Sequence, residues 1–494
     1  MNSFGDKDKS KKSKSKSKNS MRSFKAVFDE ALKLHSAGKV SDAIKNYNFL
    51  LNNGFNDPQL FANYGDILKG LGKLKKAELA YQKAIKLKPE IAELHSNYGT
   101  ILRDLGKLKE TELSYRKAID LKPDFAELHF NLGSILKDLG KLKDAELSFR
   151  KAIELKSNFA RAYFSLSSLK YSKKDLNWIK NLFSKNILKK LNNIEKIDIY
   201  FARANILHRE KNYKKSSQNL KLANNLKLEI YKSNSEFLIK KSKNLLIESA
   251  REQLIQNQEV KSPESIFIVG MPRCGSTLVE SILSMNNKVK DLGEINLLEK
   301  AFLINKKKDQ NKSLSEIYFQ EIKNLKGNFK ITTNKWLYNY QYLGVILNNI
   351  PNAKIIHCFR HPLDNILSIT RANFARGNSY SSSLKDCAKV YLDQELTMQE
   401  YKKRFSSNIY DLNYDLLVIN PKKIIKNLIA WLKWEWQETY LSPHLNQRSV
   451  LTASNVEIRS PINSSSIGGW QNYKDILTPA IKILKKNEKY KDIL

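Results

Sequence analysis

The chain has 494 residues, of which 41% are hydrophobic, and it carries a formal charge of +36. Its length suits up to about three domains, and no apolar run approaches the ~20 residues that a membrane-spanning helix needs. The N-terminus lacks the apolar core of a signal peptide, and the three cysteines provide neither a disulfide framework nor a zinc-like pairing, so we expect a cytoplasmic protein.

The positive charge by itself would suit a nucleic acid or an acidic membrane as partner. However, lysine is abundant along the whole chain, and no helix-turn-helix, zinc finger or aromatic RNA-binding signature accompanies it. We therefore do not expect nucleic acid binding. Residues 1–23 form a separate tail, in which the segment from Lys7 to Ser20 is almost entirely Lys and Ser. This composition predicts disorder, and we assign the tail no function.

Internal repeats occupy the first half of the chain. The marker glycines recur at intervals of 34 residues: Gly72, Gly106 and Gly140. This period, with two helical patterns in each repeat, resembles the tetratricopeptide repeat (TPR). We predict an all-α TPR solenoid over residues 24–255, with regular repeats over 24–159 and divergent ones over 160–255. Such solenoids commonly bind an extended peptide on their concave face.

An asparagine recurs at one position of successive repeats, as Asn63, Asn97 and Asn131. An asparagine amide offers both an acceptor and donors, which suits pairing with a peptide backbone of any sequence. The arrangement is similar to the asparagine ladder in the repeats of O-linked N-acetylglucosamine transferases, and this similarity implies a peptide-binding groove. The alternative is that these amides only stabilise the repeat turn or face water.

The second half begins with the segment SIFIVGMPRCGSTLVESIL, residues 265–283. Its apolar run predicts a buried strand that ends at Gly270 and leads through a tight loop into a helix. Such a loop forms an anion cradle, because backbone N–H groups and the positive end of the helix dipole point at the ligand. The spacing matches a P-loop in which Ser276 replaces the Walker lysine, and Arg273 supplies the positive charge instead.

The composition changes around residues 256–264, and short apolar strands alternate with helical patterns after it. The candidate strands are Ile266–Val269, Phe329–Thr332, Lys354–Phe359 and Ile409–Leu412. This alternation predicts an α/β domain with a central parallel sheet, which we assign to residues 262–494. The predicted fold is therefore multidomain, with an all-α TPR solenoid followed by an α/β, P-loop-like domain.

A second site segment, KIIHCFRHPLDNILS, starts at residue 354. Its strand ends at Arg360, and Pro362 suits the first position of the helix that follows. Arg360 would therefore lie at the carboxyl end of a strand, where open α/β sheets bind ligands. Ser368 follows two helical turns later on a compatible face. A guanidinium group with a nearby hydroxyl suits a phosphate, although an arginine after a strand can also be a surface ion-pair residue.

The two segments resemble the 5′-phosphosulfate loop and the 3′-phosphate segment of sulfotransferases. The other matching segments are 292–294, 331–335, 342–344, 413–417, 448–454, 458–462 and 465–470, with Tyr473 after the last. Together they resemble bacterial TPR-linked sulfotransferases, whose catalytic domain is similar to that of protein-tyrosine sulfotransferases. The resemblance implies an enzyme that uses 3′-phosphoadenosine-5′-phosphosulfate (PAPS) as sulfuryl donor without a metal. It also implies a hydroxyl acceptor, for which protein tyrosine is one candidate.

The resemblance also implies roles for individual residues. Glu294 is the base that takes the acceptor proton, while Arg273 and Lys335 stabilise the sulfuryl group and the leaving phosphate. The residues implied around the 5′-phosphosulfate are Arg273, Cys274, Gly275, Ser276 and Thr277. Those implied for the 3′-phosphate and the adenine side are Arg360, Ser368, Ser454 and Tyr414.

Three departures from the family pattern bear on activity. Cys274 stands where serine is common, and a thiol is a weaker donor than a hydroxyl. The segment Asn334-Lys335-Trp336-Leu337 stands where Asp-Lys-Met-Pro is common. Gly469 stands where a basic residue usually precedes the last tryptophan. We expect this last change to weaken PAPS binding, unless another lysine substitutes.

Three other functions remain open on the sequence. The first is a TPR adaptor for proteins that carries an inactive sulfotransferase-like domain. The second is a P-loop kinase or NTPase, against which the missing Walker lysine argues. The third keeps the chemistry but transfers the sulfuryl group to a saccharide or a small metabolite.

Overall fold

The computed structural model describes residues 24–172, 176–251, 263–307, 312–326, 329–374, 378–446, 448 and 455–492. The predicted disordered tail, residues 1–23, therefore lies outside the described residues. The chain forms two compact units. The first holds the described residues up to Leu139 together with Leu147–Lys156, and the second holds Gly140–Glu146 and the described residues after Lys156.

The first unit is a series of helices with short connections. Their bounds are α1 24–36, α2 Val40–Asn52, α3 Pro58–Gly70, α4 Leu74–Leu87, α5 Ala92–Asp104, α6 Leu108–Leu121, α7 Ala126–Asp138 and α8 Leu142–Leu155, of which α8 belongs to this unit from Leu147 onward. The helices pair as the 34-residue period predicts, so the predicted helical repeats are confirmed.

Small residues hold the two helices of each regular repeat close together. A Cβ atom added at Gly65 would lie 2.7 Å from the Tyr81 ring, and one added at Gly99 or Gly133 would lie 2.8 Å from the ring of Tyr115 or Phe149. Atoms that are not bonded do not approach so closely, so each position must lack a side chain. The rings that fill the space are fully buried.

The second unit opens with five helices: α9 Ala160–Ser168, α10 Asn177–Phe183, α11 Asn193–Arg209, α12 Tyr213–Ile230 and α13 Ser235–Arg251. Buried residues of α11 and α12, such as Phe201 and Leu220, share a hydrophobic core with Leu363 and Leu477 from the chain beyond the sheet. Packing therefore divides the chain near residues 140–156, whereas the change in composition lies near residue 260. The predicted domain limits stay a prediction.

The remainder of the unit alternates strands and helices. Its strands are β1 Glu264–Gly270, β2 Val289–Asp291, β3 Ile331–Asn334, β4 Ala353–Phe359 and β5 Ile409–Asn413. Its helices are α14 Ser276–Leu283, α15 Leu297–Asn305, α16 Leu314–Lys326, α17 Leu343–Asn349, α18 Pro362–Thr370, α19 Leu384–Arg404, α20 Tyr414–Ile419, α21 Pro421–Trp431 and α22 Lys474–Leu484. Short 3₁₀ helices, among them Glu457–Arg459 and Gly469–Tyr473, lie in the connections.

The five strands form one parallel sheet in the order β2-β3-β1-β4-β5. The central strand β1 is buried on both faces, because Phe267 and Val269 pack into one core while Ile266 and Ile268 pack into another. The predicted α/β fold with a parallel sheet is confirmed. Strand β2 was not predicted, since its sequence Val-Lys-Asp has no apolar run and it pairs only with β3.

Within the described ranges, no helix combines the length and the apolar character needed to cross a bilayer.

Candidate active site

All five strands are parallel, so their carboxyl ends lie at the same edge of the sheet, where open α/β sheets bind ligands. One residue of the predicted site follows the end of each strand. After β1, β2, β3, β4 and β5 these residues are Arg273, Glu294, Lys335, Arg360 and Tyr414. The strand order therefore gathers residues that are up to 141 positions apart in the chain.

The loop after β1 is tight, and its two glycines are required by its geometry. Gly270 has φ 147°, and a Cβ atom there would lie 2.2 Å from the carbonyl oxygen of Cys358. Gly275 has φ 98° and caps α14 at its N-terminus, and a Cβ atom there would lie 2.2 Å from Cδ2 of Tyr414. Arg273 also has a positive φ, 67°, a strained conformation of the kind found at ligand-binding sites.

Arg273 points its guanidinium group across the loop towards two other segments. Its Nε donates to Oγ of Ser368 in α18 at 3.0 Å, and its Nη2 donates to Oε1 of Glu457 at 2.5 Å. Burial disfavours the charge, but the carboxylate of Glu457 outweighs it and raises the pKa of Arg273. The arginine is therefore charged, and its predicted neighbour Ser368 is in contact with it.

Arg360, directly after β4, carries a hydrogen-bond donor without a partner. Its Nη2 donates to the carbonyl oxygen of Ser466 at 2.7 Å, and its Cζ lies 4.8 Å from the centre of the Tyr414 ring. Its buried Nε has no hydrogen-bond partner among the described residues, and the carboxylate oxygen Oδ1 of Asp415 is 3.9 Å away. A buried guanidinium donor left in this state fits a phosphate ligand.

Lys335 and Glu294 form a short ion pair at the carboxyl edge of the sheet. Lys335 Nζ donates to Oε1 of Glu294 at 2.6 Å, and the backbone N–H of Lys335 donates to the carbonyl oxygen of Gly293 at 2.9 Å. Asn334 joins the same two segments, since its amide donates to the carbonyl oxygen of Ile295 at 3.3 Å and its Oδ1 accepts from the backbone of Trp336 at 3.0 Å. The asparagine that departs from the family pattern thus positions both members of the pair.

Family models match both halves of the chain. The "Sulfotransferase family" model matches residues 298–438, the "TPR repeat" model matches residues 99–140, and the "Tetratricopeptide repeat" model matches residues 58–91 and 126–159. The chain carries a sulfotransferase-family domain, which follows tetratricopeptide repeats in the sequence. The matched part of the sulfotransferase-family domain includes Lys335, Arg360, Ser368 and Tyr414, and it begins after Glu294.

A curated relative from Aquifex aeolicus (strain VF5), described as an "Uncharacterized protein", is 30% identical over 327 residues. The match covers 59% of this chain and 43% of the relative, so the chain spans less than half of the relative's length.

Solved structures with similarity to the chain include two sulfotransferase domains and a repeat protein. The domain from the curacin biosynthetic pathway is 18% identical, with a TM-score of 0.33, over 46% of this chain and 98% of that one. The domain from the Synechococcus PCC 7002 olefin synthase is also 18% identical, with a TM-score of 0.35, over 47% and 98%. MamA is 19% identical, with a TM-score of 0.28, over 37% and 96%. At these values the similarities leave the function open.

The predicted ligands from the loop after β1 lie together. Ser276 and Thr277 are the first two residues of α14, and both are buried. The Cys274 side chain is also buried, 1% exposed, beside the Cys358 thiol, whose pKa burial raises. The Cys274 side chain is directed into the core, and its backbone N–H donates to the carbonyl oxygen of Met271 at 3.2 Å. Both groups are therefore bonded or buried within the protein.

The roles predicted for Ser454 and for the repeat asparagines stay predictions. Ser454 lies outside the described residues. The repeat asparagines lie in the first unit, in corresponding positions of α3, α5 and α7. Their environments differ, since Asn97 is exposed, whereas the amide nitrogen of Asn63 is buried without a partner among the described residues. Their predicted role as a ladder is not tested by these contacts.

Sequence reasoning missed three residues that hold the loops of the site in place. Asp364 in α18 accepts from the backbone N–H groups of Gly468 at 2.8 Å and Trp470 at 3.0 Å. Asn365, next to it, donates to the carbonyl oxygen of Pro272 at 3.0 Å. Asp364 is in the first turn of a helix, so its carboxylate looks in the sequence like an ordinary complement to the helix dipole. Glu457, the third residue, lies in a connection, and nothing in its local sequence indicates a contact with Arg273.

Proposed function

We propose that the protein is a sulfotransferase that moves the sulfuryl group of PAPS to an acceptor hydroxyl, as the sulfotransferase-family domain suggests. The observation that carries the proposal is the set of cationic groups at the carboxyl edge of the sheet, with the partly exposed carboxylate of Glu294 beside Lys335. Arg273, Lys335 and Arg360 supply three positive charges, each beside a carboxylate, and the buried Nε of Arg360 has no hydrogen-bond partner among the described residues. This set suits a donor with two anionic ends.

Bound PAPS would supply the activated sulfuryl group. Glu294 then takes the proton of the acceptor hydroxyl as its oxygen forms a bond to sulfur. The bond between sulfur and the bridging oxygen breaks, and that oxygen stays with the 5′-phosphate of the departing nucleotide. Lys335 and Arg273 stabilise the charge that moves to the equatorial and leaving oxygens, which is where such a transition state needs preorganised cations.

The same proposal gives the other residues binding roles. The loop from Cys274 to Thr277 holds the 5′-phosphosulfate at the N-terminus of α14. Arg360 and Ser368 hold the 3′-phosphate, and the Tyr414 ring, which abuts the loop, supports the adenine side. Ser454 joins the 3′-phosphate group on the sequence resemblance alone.

For the acceptor, we propose a protein or peptide hydroxyl, with tyrosine as one candidate. The support is the presence of TPR repeats in the same chain, since such repeats commonly bind peptides. Asn63, Asn97 and Asn131 would contact the peptide backbone. A sulfated saccharide in an acceptor screen, with no peptide bound by the repeats, would replace this part of the proposal and keep the chemistry.

Calorimetric titration with PAP, the desulfated donor product, tests the proposal. We expect the wild type to bind, Arg273→Ala to lose at least about tenfold in affinity because a charge-assisted contact is removed, and Glu294→Gln to bind as the wild type does. Arg103→Ala, an exposed arginine of the first unit, serves as the control for the loss of one positive charge. A folded wild type that binds no PAP would leave the adaptor function, and turnover of ATP with Mg²⁺ would favour the kinase.

A further inference from the structure

Three leucines stand exposed at one position of successive repeats in the first unit. Leu79, Leu113 and Leu147 lie in α4, α6 and α8 at intervals of 34 residues, and they are 60%, 67% and 66% exposed. A single exposed leucine is ordinary in a soluble protein. Here the side chains recur in register, each two residues before a fully buried aromatic ring, so they lie on the side of the helices that faces away from the core.

Lysines accompany these leucines on the same helix faces. Positions four residues apart share a helix face, and four residues after the three leucines come Lys83, Lys117 and Lys151. Four residues before the first two come Lys75 and Lys109. We call these eight side chains the leucine–lysine face.

The charge of this face is positive although some of its groups are paired. Lys151 forms an exposed ion pair with Glu154 at 2.7 Å, and Lys83 lies 5.5 Å from the centre of the Phe61 ring. Arg116 adds charge beside Leu113, where it pairs with Glu112 at 3.0 Å. The acids on the same side are Glu110, Asp120, Asp144 and Glu154, so the five lysines of the face still outnumber them.

We propose that the leucine–lysine face docks on an anionic lipid surface. The leucines are about two-thirds exposed, so they project from the helices and do not line a groove, which a peptide ligand would need for its backbone. Lipid headgroups are fluid and can meet cations at any spacing, while exposed leucines enter the interface between them. The lysine stems can extend along the same surface and keep their ammonium groups at the phosphates.

A second copy of the chain fits this face less well. Pairing the face with itself would bring five lysines against five lysines, and like charges across an interface oppose association. Charge complementarity therefore favours an anionic surface. The inference concerns the first unit alone and does not depend on the proposed sulfotransferase activity.

Co-sedimentation of the full chain with lipid vesicles tests the inference. We expect binding to phosphatidylcholine vesicles that contain on the order of 30% phosphatidylglycerol, little binding to phosphatidylcholine alone, and weakening by salt because the attraction is electrostatic. The triple variant Leu79→Ser, Leu113→Ser, Leu147→Ser should bind at least about tenfold more weakly, because apolar insertion is removed. The triple variant Lys83→Gln, Lys117→Gln, Lys151→Gln should lose most of the dependence on phosphatidylglycerol.

A matched control removes three exposed leucines of the second unit. Leu303→Ser, Leu396→Ser and Leu445→Ser change side chains that are 56%, 53% and 66% exposed, and vesicle binding should stay unchanged. All the substituted positions are at the surface, so circular dichroism should show native helix content throughout.

Four results would overturn the inference. The first is equal binding of the wild type to vesicles with and without phosphatidylglycerol. The second is an equal loss in the control triple variant. The third is unchanged binding in the leucine variant, which would reduce the effect to general attraction between a basic chain and an anionic surface. Competition by an acidic polypeptide for the same face, without vesicle binding, would assign it to a protein partner instead.

Discussion

Lys335 and Glu294 meet at the ends of two neighbouring strands, β3 and β2, with 2.6 Å between Nζ and Oε1. The two side chains differ in exposure, since that of Lys335 is fully buried while that of Glu294 is 42% exposed. The carboxylate is therefore the member that an acceptor from solvent can reach, and the lysine is the member held in place by the protein.

This asymmetry predicts separate effects on binding and on turnover. Glu294→Gln should lower kcat about 10²- to 10⁴-fold, because a general base is lost, while the affinity for PAP changes less than about twofold. Single-turnover transfer from labelled PAPS, beside calorimetry, measures both quantities. A variant that kept its kcat would remove Glu294 from the role of base, and one that lost PAP affinity would make it a donor ligand.

The contact between Gly275 and Tyr414 predicts that the loop tolerates no side chain. Gly275→Ala places a methyl group where the ring of Tyr414 already lies and also adopts φ 98°, so PAP binding should fall at least about tenfold, as the anion cradle is displaced. Gly72→Ala is the matched control, because Gly72 has φ 72° but open space around it. It should cost about 1–2 kcal/mol of stability through backbone strain alone and leave PAP binding unchanged.

A basic side chain at position 469 should raise the affinity for PAP. A Cβ atom there would meet only Oδ1 of Asp364, at the ordinary distance of 3.8 Å, so a side chain fits. Gly469→Arg should bind PAP several-fold more tightly, since it restores the basic residue that is usual beside Trp470 and adds a charge-assisted contact. Gly469→Ala should match the wild type in the same titration. Equal affinity in the arginine variant would show that this position does not face the donor.

The close helix contacts of the repeats predict a stability difference between two glycines. Gly99→Ala should lower the free energy of unfolding by about 1–3 kcal/mol, because the methyl group overlaps the Tyr115 ring. Gly70→Ala, in α3 with nothing within 4 Å, should be neutral or slightly stabilising, because alanine is the better helix former. Urea denaturation of the full chain, followed by circular dichroism, compares the two. Equal effects would mean that the helices can move apart at no cost.

We expect the contacts of the neutral His208 ring to stabilise the folded protein at neutral pH and less so in acid. The His208 ring bonds with the hydroxyl of Tyr473 at 2.8 Å and with Nη1 of Arg371 at 3.1 Å, and burial first, then Arg371, lowers its pKa to about 3. The unfolded chain binds the proton more readily, so the contribution is complete above about pH 6.5. It is lost progressively as the pH falls from there towards 3.

The variant His208→Gln isolates this effect, because other groups with shifted pKa values are common to both proteins. Asp198, for example, has its pKa raised to about 6 by burial and therefore acts in the opposite direction. The difference between wild type and variant in urea midpoint should shrink between pH 7.5 and pH 5. A difference that stayed constant would mean that His208 is protonated in the folded protein or is reached by water.

Much of the candidate site could be predicted from local sequence. The loop from Gly270 to Gly275 is bounded by glycines that the backbone requires, and Arg360 follows an apolar run that indicates a buried strand. Asp364 and Glu457 could not be predicted, because a carboxylate in a helix or a connection gives no sign of its distant partner. The short strand β2 was missed for a related reason, since it is held by its pairing with β3 and not by its own side chains.

The sequence by itself determined the repeats, the strand-loop-helix of the anion cradle and the residues at the strand ends, because each depends on periodicity or backbone conformation within a short segment. Only the tertiary structure decided that Arg273 meets Ser368 and Glu457, and that Lys335 meets Glu294. These pairings depend on the order of strands in the sheet, and that order is set by packing between distant parts of the chain.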